Sequence, residues 1–126
     1  MGMLLQVQFS VPASAAVGTR IAGTIYNLGQ NPTLALASIN LTGKKIVKAY
    51  VPASPNTANL AMFIINPNGN VQVLGTETQL TMTTTFNPNV IKNILCETSG
   101  DYAFSAVTTA TAGSSATTVN LMVELE

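Results

Sequence analysis

From Leu60 to Leu74 the chain reads LAMFIINPNGNVQVL, two apolar runs on either side of Asn66-Pro67-Asn68-Gly69-Asn70. Asn-Gly between hydrophobic runs is the strongest short-range hairpin signal, because both residues tolerate the positive φ of a tight turn and Pro67 presets the angle leading into it. The hairpin places Phe63, Ile65, Val71 and Val73 on one face and Gln72 on the other. The same two-residue alternation recurs along the chain, and no helical period persists.

Met3–Val11 alternates Leu5, Val7, Phe9 and Val11 against Gln6, Gln8 and Ser10. Thr19–Leu28 reads as a strand with Ile21 and Ile25 inward around Gly23, where a bulge or a close approach is expected. Gly29-Gln30-Asn31-Pro32 is a turn. Thr33–Leu41 has the Leu and Ala of a helix, but its abrupt end at Thr42-Gly43 favours a strand. Lys44–Val51 is expected to put Val47, Ala49 and Val51 on one side and Lys44, Ile46, Lys48 and Tyr50 on the other; three of the five cations lie here, as lysines that blunt a sheet edge do. Pro52–Asn59 is a loop. Gly75-Thr76-Glu77-Thr78 turns into Gln79–Phe86, with Leu80, Met82 and Phe86 opposite Thr81, Thr83 and Thr85. Val90–Thr98 is a short element of open type, Tyr102–Ala110 a strand, and Thr117–Glu126 a last strand with Val119, Leu121, Val123 and Leu125 inward. About eight or nine short strands at this spacing give an all-β chain, an antiparallel β-sandwich or a jelly roll, in one domain.

Composition narrows the function. The 126 residues are 47% hydrophobic and only 8% charged, with five basic and five acidic side chains that cancel. A nucleic-acid partner loses its main driving force without a cationic footprint. Net neutrality also removes the repulsion that keeps small domains apart, so self-association is the expectation. Met1–Gly18 superficially resembles a signal peptide, yet it lacks a basic start and its apolar residues alternate with Gln and Ser, so it reads as a strand. No run approaches the ~18 apolar residues of a membrane span.

From Lys44 onward the order of features resembles the small β-sandwiches of the pre-peptidase C-terminal and GOLD type. The corresponding pieces are the turn Asn66-Pro67-Asn68-Gly69, the strand start Gly100-Asp101-Tyr102-Ala103-Phe104 and the final apolar strand Val119–Leu125. The resemblance implies an accessory or interaction sandwich. Aspartates that often bind calcium in such domains are mostly Asn here, so it implies no metal site.

Candidate chemistry is thin. Without histidine there is no nucleophile–histidine pair and no zinc site of the usual kind. Glu97 and Asp101 flank a turn and, with Glu77, are the candidates for sharing a cation, although Ca²⁺ takes about six to eight oxygens and solvated turn charges are the simpler reading. Glu124 and Glu126 read as surface charges. Ser99 and Lys92 lack the spacing of an activated nucleophile. Cys96, between Ile94-Leu95 and Glu97, reads as a small buried hydrophobe. Tyr102 is expected to plug a strand corner with its hydroxyl on backbone. Tyr26 and Tyr50, on the less apolar faces of their strands, are candidate sugar platforms, but aromatics make up only 6% of the chain. Asn40-Leu41-Thr42 matches the N-glycosylation acceptor pattern.

These features predict no catalytic, cofactor-binding or metal-binding residues and no cofactor. They predict a structural protein that works by assembling, a homo-oligomer or a partner of other particle proteins, best matched by a virion component (capsid, turret or decoration) on a virion or extracellular surface. Outward faces carrying Thr, Asn, Gln, Ala and Met would become interface, and free terminal strands would serve β-augmentation. So few ionisable groups also predict little pH dependence of stability. The alternative is an accessory module recognising a glycan or protein partner through loops such as Pro52–Asn59 and Ala112–Ala116.

Overall fold

A computed structural model describes residues 2–52, 60–82 and 87–126. β1 (Met3–Val11) pairs on one side with β11 (Thr117–Leu125), in unbroken register from Met3↔Leu125 to Val11↔Thr117. On its other side it pairs with β3 (Thr24–Asn27). The four inward residues of β1 and the four of β11 are at most 2% exposed, so the alternation in both segments translates directly into burial. With β4 (Asn31–Leu36), β6 (Lys45–Tyr50) and β9 (Ile91–Leu95), these strands form a six-stranded sheet in the order β4-β3-β1-β11-β6-β9. The second sheet runs β2-β10-β7-β8, from β2 (Arg20–Ala22), β10 (Asp101–Thr108), β7 (Leu60–Ile65) and β8 (Val71–Thr76), with the two-residue β5 (Ile39–Asn40) also on β10.

The pairing resolves which sandwich this is. Setting aside the β3–β4 hairpin and β5, eight strands remain, and they pair first with last (β1–β11), second with seventh (β2–β10), third with sixth (β6–β9) and fourth with fifth (β7–β8). Successive pairs fall in alternate sheets. That is a long hairpin rolled over on itself, a jelly roll. The strand count of 11 exceeds the expected number because two segments are divided.

Gly23 makes the first division. Thr19–Leu28 is not one strand: β2 belongs to the second sheet and β3 to the first, and the chain changes sheet at Gly23, whose N–H donates to the Phe104 carbonyl at 2.9 Å. A Cβ there would lie 2.5 Å from Val7 Cγ1 and 3.0 Å from Phe9 Cε1. The close approach expected from the sequence is thus the corner that ties the two sheets together. The second division separates β4 from β5 within Thr33–Leu41, which is extended rather than helical. β4 begins at Asn31, two residues before the expected strand start at Thr33, and Pro32 is tolerated there because β4 is an edge.

Three further expectations are corrected. In β6 it is Ile46 that is buried, together with Ala49 and Val51, while Val47 is half-exposed; register shifts against both neighbours, between Ile46 and Lys48 and between Glu124 and Leu125, break the two-residue rhythm. β6 lies between β11 and β9, so its lysines do not blunt an edge. Gln79–Phe86 does not begin as a strand. Glu77–Leu80 forms one helical turn, α1, with Thr76 as N-cap and Gln79 reaching back to the Thr76 N–H, and Leu80 is buried beneath it. Thr76-x-x-Gln79 is a capping box, a local signal that outweighs alternation over so short a stretch. Thr83, Thr85 and Phe86, and all but Pro52 of the Pro52–Asn59 loop, lie outside the described residues.

The Leu60–Leu74 hairpin forms as expected, with Ile65↔Val71 the last pair, Asn66 N–H on the Asn70 carbonyl at 2.8 Å and Gly69 at φ +87°. Tyr102 is buried and its hydroxyl donates to the Thr98 carbonyl at 2.7 Å, the expected strand corner. Gly23→Ala should lower stability by about 2–3 kcal/mol through overpacking at the sheet crossing. Urea denaturation checks this as a fall in midpoint with an unchanged slope.

Candidate functional site

The chemistry-bearing residues do not converge. Glu97 and Asp101 are exposed beside the β9–β10 turn, while Glu77 is buried on α1; among the described residues no three acidic or thiol groups gather as a metal site would require. Ser99 is exposed in the same turn and Lys92 lies on β9, its ammonium pKa lowered by burial, and among the described residues no hydrogen bond joins them. Cys96 is buried, and burial raises its thiol pKa, away from the reactive thiolate. Asn40 is exposed on β5 with its Oδ1 accepting from the Thr42 N–H at 3.0 Å, while the Thr42 hydroxyl accepts from the Gly100 N–H at 2.9 Å. Glu126 is exposed at the end of β11 and pairs by backbone with Lys45, whereas Glu124 is half-buried opposite Lys48.

Surface, not cleft, is where the molecule is distinctive, and the two outer faces differ. Residues directly opposite one another in an antiparallel ladder share a face. Across the six-stranded sheet the outward rows are Leu4–Glu124–Lys48–Ile91, Tyr26–Gln6–Met122–Tyr50, Thr24–Gln8–Asn120 and Ser10–Thr118, and Ile91 and Leu95 of the edge strand β9 are about half exposed. Gln6 Nε2 donates to Asn120 Oδ1 at 3.2 Å, and the Lys48 ammonium sits 4.8 Å from the Tyr50 ring centre. Burial, then the neighbouring Glu124 carboxylate, raises the Tyr50 pKa. Tyr26 and Tyr50 do lie on the polar side, as expected, but three strand spacings apart, roughly 14 Å.

Across the second sheet the outward rows are Ala22–Ser105–Phe63–Val73, Arg20–Val107–Ala61–Thr76 and Ala103–Ile65–Val71. Val71 and Val73 are about 60% exposed, although Leu60, Met62 and Ile64 already supply the core side of β7. The hydroxyl of Ser105 at the centre turns away from solvent toward the Ile21 carbonyl, 3.4 Å distant, which leaves Arg20 as the one charge among these positions. A hollow of about 280 Å³ opens between Phe63, Ile65, Ser105 and Val107, with Arg20 and Val71 at its margins. Four outward apolar side chains of one hairpin were legible in LAMFII and VQV; that their common face is the solvent face was not, because β7 is apolar on both sides. A run apolar on both sides is the mark of a strand covered on both faces.

The terminal strands are not free. β1 and β11 each have neighbours on both sides, and among the described residues the sheet edges are β4, β9, β2 and β8. Among the described residues no helix is long and apolar enough to cross a membrane. No family model matches the chain, and no curated protein matches it.

Sequence reasoning named Glu77 as a turn charge that could join Glu97 and Asp101 on a cation, and missed that it is buried. Its side chain is buried with Oε1 lacking a hydrogen-bond partner among the described residues, and burial raises its pKa from 4.5 to about 7 against the opposing effect of the Leu60 N–H. β7, β8 and the 3₁₀ turn Pro88–Val90, which pack against α1, contain no ionisable side chain to compensate it. A raised carboxyl pKa means that the folded chain holds a proton the unfolded chain has released. Its stabilising effect is complete below pH 4.5 and is lost as pH rises through about 7. Exposed Thr78 and Gln79 let water screen part of the effect, leaving about 1–2 kcal/mol. Urea midpoints should therefore fall between about pH 5 and pH 8, in contrast to the flat profile expected from composition, and Glu77→Gln should flatten the fall.

Proposed function

We propose that this protein is a structural component that works by assembling: a jelly-roll subunit of a particle, best matched by a virion capsid, turret or decoration protein acting at the particle surface. The observation that supports it is a continuous apolar field on Phe63, Ile65, Val71, Val73 and Val107 across one outer face, whereas the other face is mixed, with Gln, Asn, Thr and Tyr beside Met122, Lys48 and Glu124 and with exposed Ile91 and Leu95 on its edge strand β9. A monomer in water has no use for such a field, whereas a subunit buries it. With net charge zero, nothing long-range opposes the contact. Symmetric assemblies sum many weak contacts, so the individual interface can be modest.

A second reading rests on the row Tyr26–Gln6–Met122–Tyr50, whose half-exposed tyrosines and amides suit a glycan, consistent with the resemblance to accessory sandwich domains. It predicts glycan-array binding by the monomer, abolished in Tyr50→Ala. Assembly predicts that light scattering coupled to size exclusion finds species above 13.1 kDa whose population grows with concentration and is undiminished by salt, since apolar contacts are not screened. Electron microscopy should then show regular rings or shells. A monomer at every concentration and salt would refute the assembly reading.

A further inference from the structure

We infer that the outer face of β2-β10-β7-β8 is the contact between two copies of this chain, packed face to face about a two-fold axis running along β7. This rests on the assembly reading and specifies the surface and the partner within it.

An isologous contact must be complementary to itself. This face has both halves of such a fit. Val71 and Val73 on the edge strand β8 project as the most exposed large apolar side chains of the patch, and the hollow of about 280 Å³ lies beside them over β7 and β10. Rotation about β7 sets each copy's valines over the other's hollow and brings Phe63 against its own counterpart. The two Arg20 side chains, on β2 at the far margin, are carried outward on opposite sides and remain in water, where their like charges are screened. No charge is buried by the contact.

Other occupants fit less well. A nucleic acid or acidic peptide would find one cation, Arg20. A glycan needs donors and acceptors, and the central hydroxyl, Ser105, is directed to the backbone of Ile21. Only another apolar sheet face matches what is offered, and a second copy of this chain brings a face complementary to itself.

Area sets the strength. Strands lie ~4.8 Å apart and alternate residues ~6.8 Å apart, so four strands by three rows cover roughly 400 Å², half of the ~800 Å² that each partner buries in a stable interface. A single pair should therefore associate reversibly, at micromolar concentration or above, rather than form an obligate dimer.

Sedimentation equilibrium over a wide concentration range tests this with Val71→Lys and Val73→Lys, both at exposed positions that leave the core intact, and Gln8→Lys on the opposite sheet as control. Circular dichroism confirms that each variant is folded. The expected result is a reversible dimer in the wild-type chain, weakened roughly tenfold or more by either valine substitution and unchanged by Gln8→Lys. Wild-type association that survives both valine variants, or that Gln8→Lys weakens equally, overturns the assigned face while leaving assembly standing. A wild-type chain that never associates overturns both.

Discussion

The register between the first and last strands is the constraint from which the rest of this fold follows. β1 and β11, nine residues each, align over their whole length and carry eight inward aliphatic and aromatic side chains between them. With these two paired, the intervening strands fold back in nested pairs, β2 with β10, β6 with β9 and β7 with β8, and the roll of those pairs gives the two facing sheets. Gly23 is the point at which the roll is tightest. There the backbone passes so close to Val7, Phe9 and the Phe104 carbonyl that no side chain fits, and the Gly23 N–H donates to that carbonyl as the chain leaves the second sheet for the first.

How much of this was legible depended on the length of the uninterrupted pattern. β1, β11 and the hairpin around Asn68-Gly69 show four or more clean alternations or a turn of strong chemistry; all three were readable from the sequence as strands or hairpin, and for β1 and β11 the inward face as well. β6 was not, because one irregularity between Ile46 and Lys48 moves every later side chain to the other face and leaves no mark in the amino acids themselves. Lys44, Lys45 and Lys48 looked like edge protection because edge position is a property of topology, fixed by β9, far along the chain. α1 was written locally, in Thr76 and Gln79, but was read as part of a threonine-rich strand.

The candidate site shows the same division. The buried thiol of Cys96 and the Tyr102 corner followed from neighbours and spacing. Glu77, placed among turn charges by sequence, is instead enclosed by strands that hold no partner for it, and only tertiary packing makes that visible. Likewise the residues of the apolar field are all present in the sequence, yet the field exists only because β10 sets Val107 and Ala103 beside Phe63 and Ile65 across more than thirty-five residues of chain. An outer face is a two-dimensional object, and a sequence displays only one strand of it at a time.

The pairing of β1 with β11 also bears on how the molecule is made. During synthesis on the ribosome β3 follows β1 within a few tens of residues, but the opposite edge of β1 stays bare until β11 has left the exit tunnel. Throughout that interval LLQVQFSV is a half-paired strand whose eventual neighbour does not yet exist, the situation in which chains of the same kind find each other's edges. Completing the sheet therefore requires closing a loop of more than one hundred residues, a contact of high sequence separation that forms slowly.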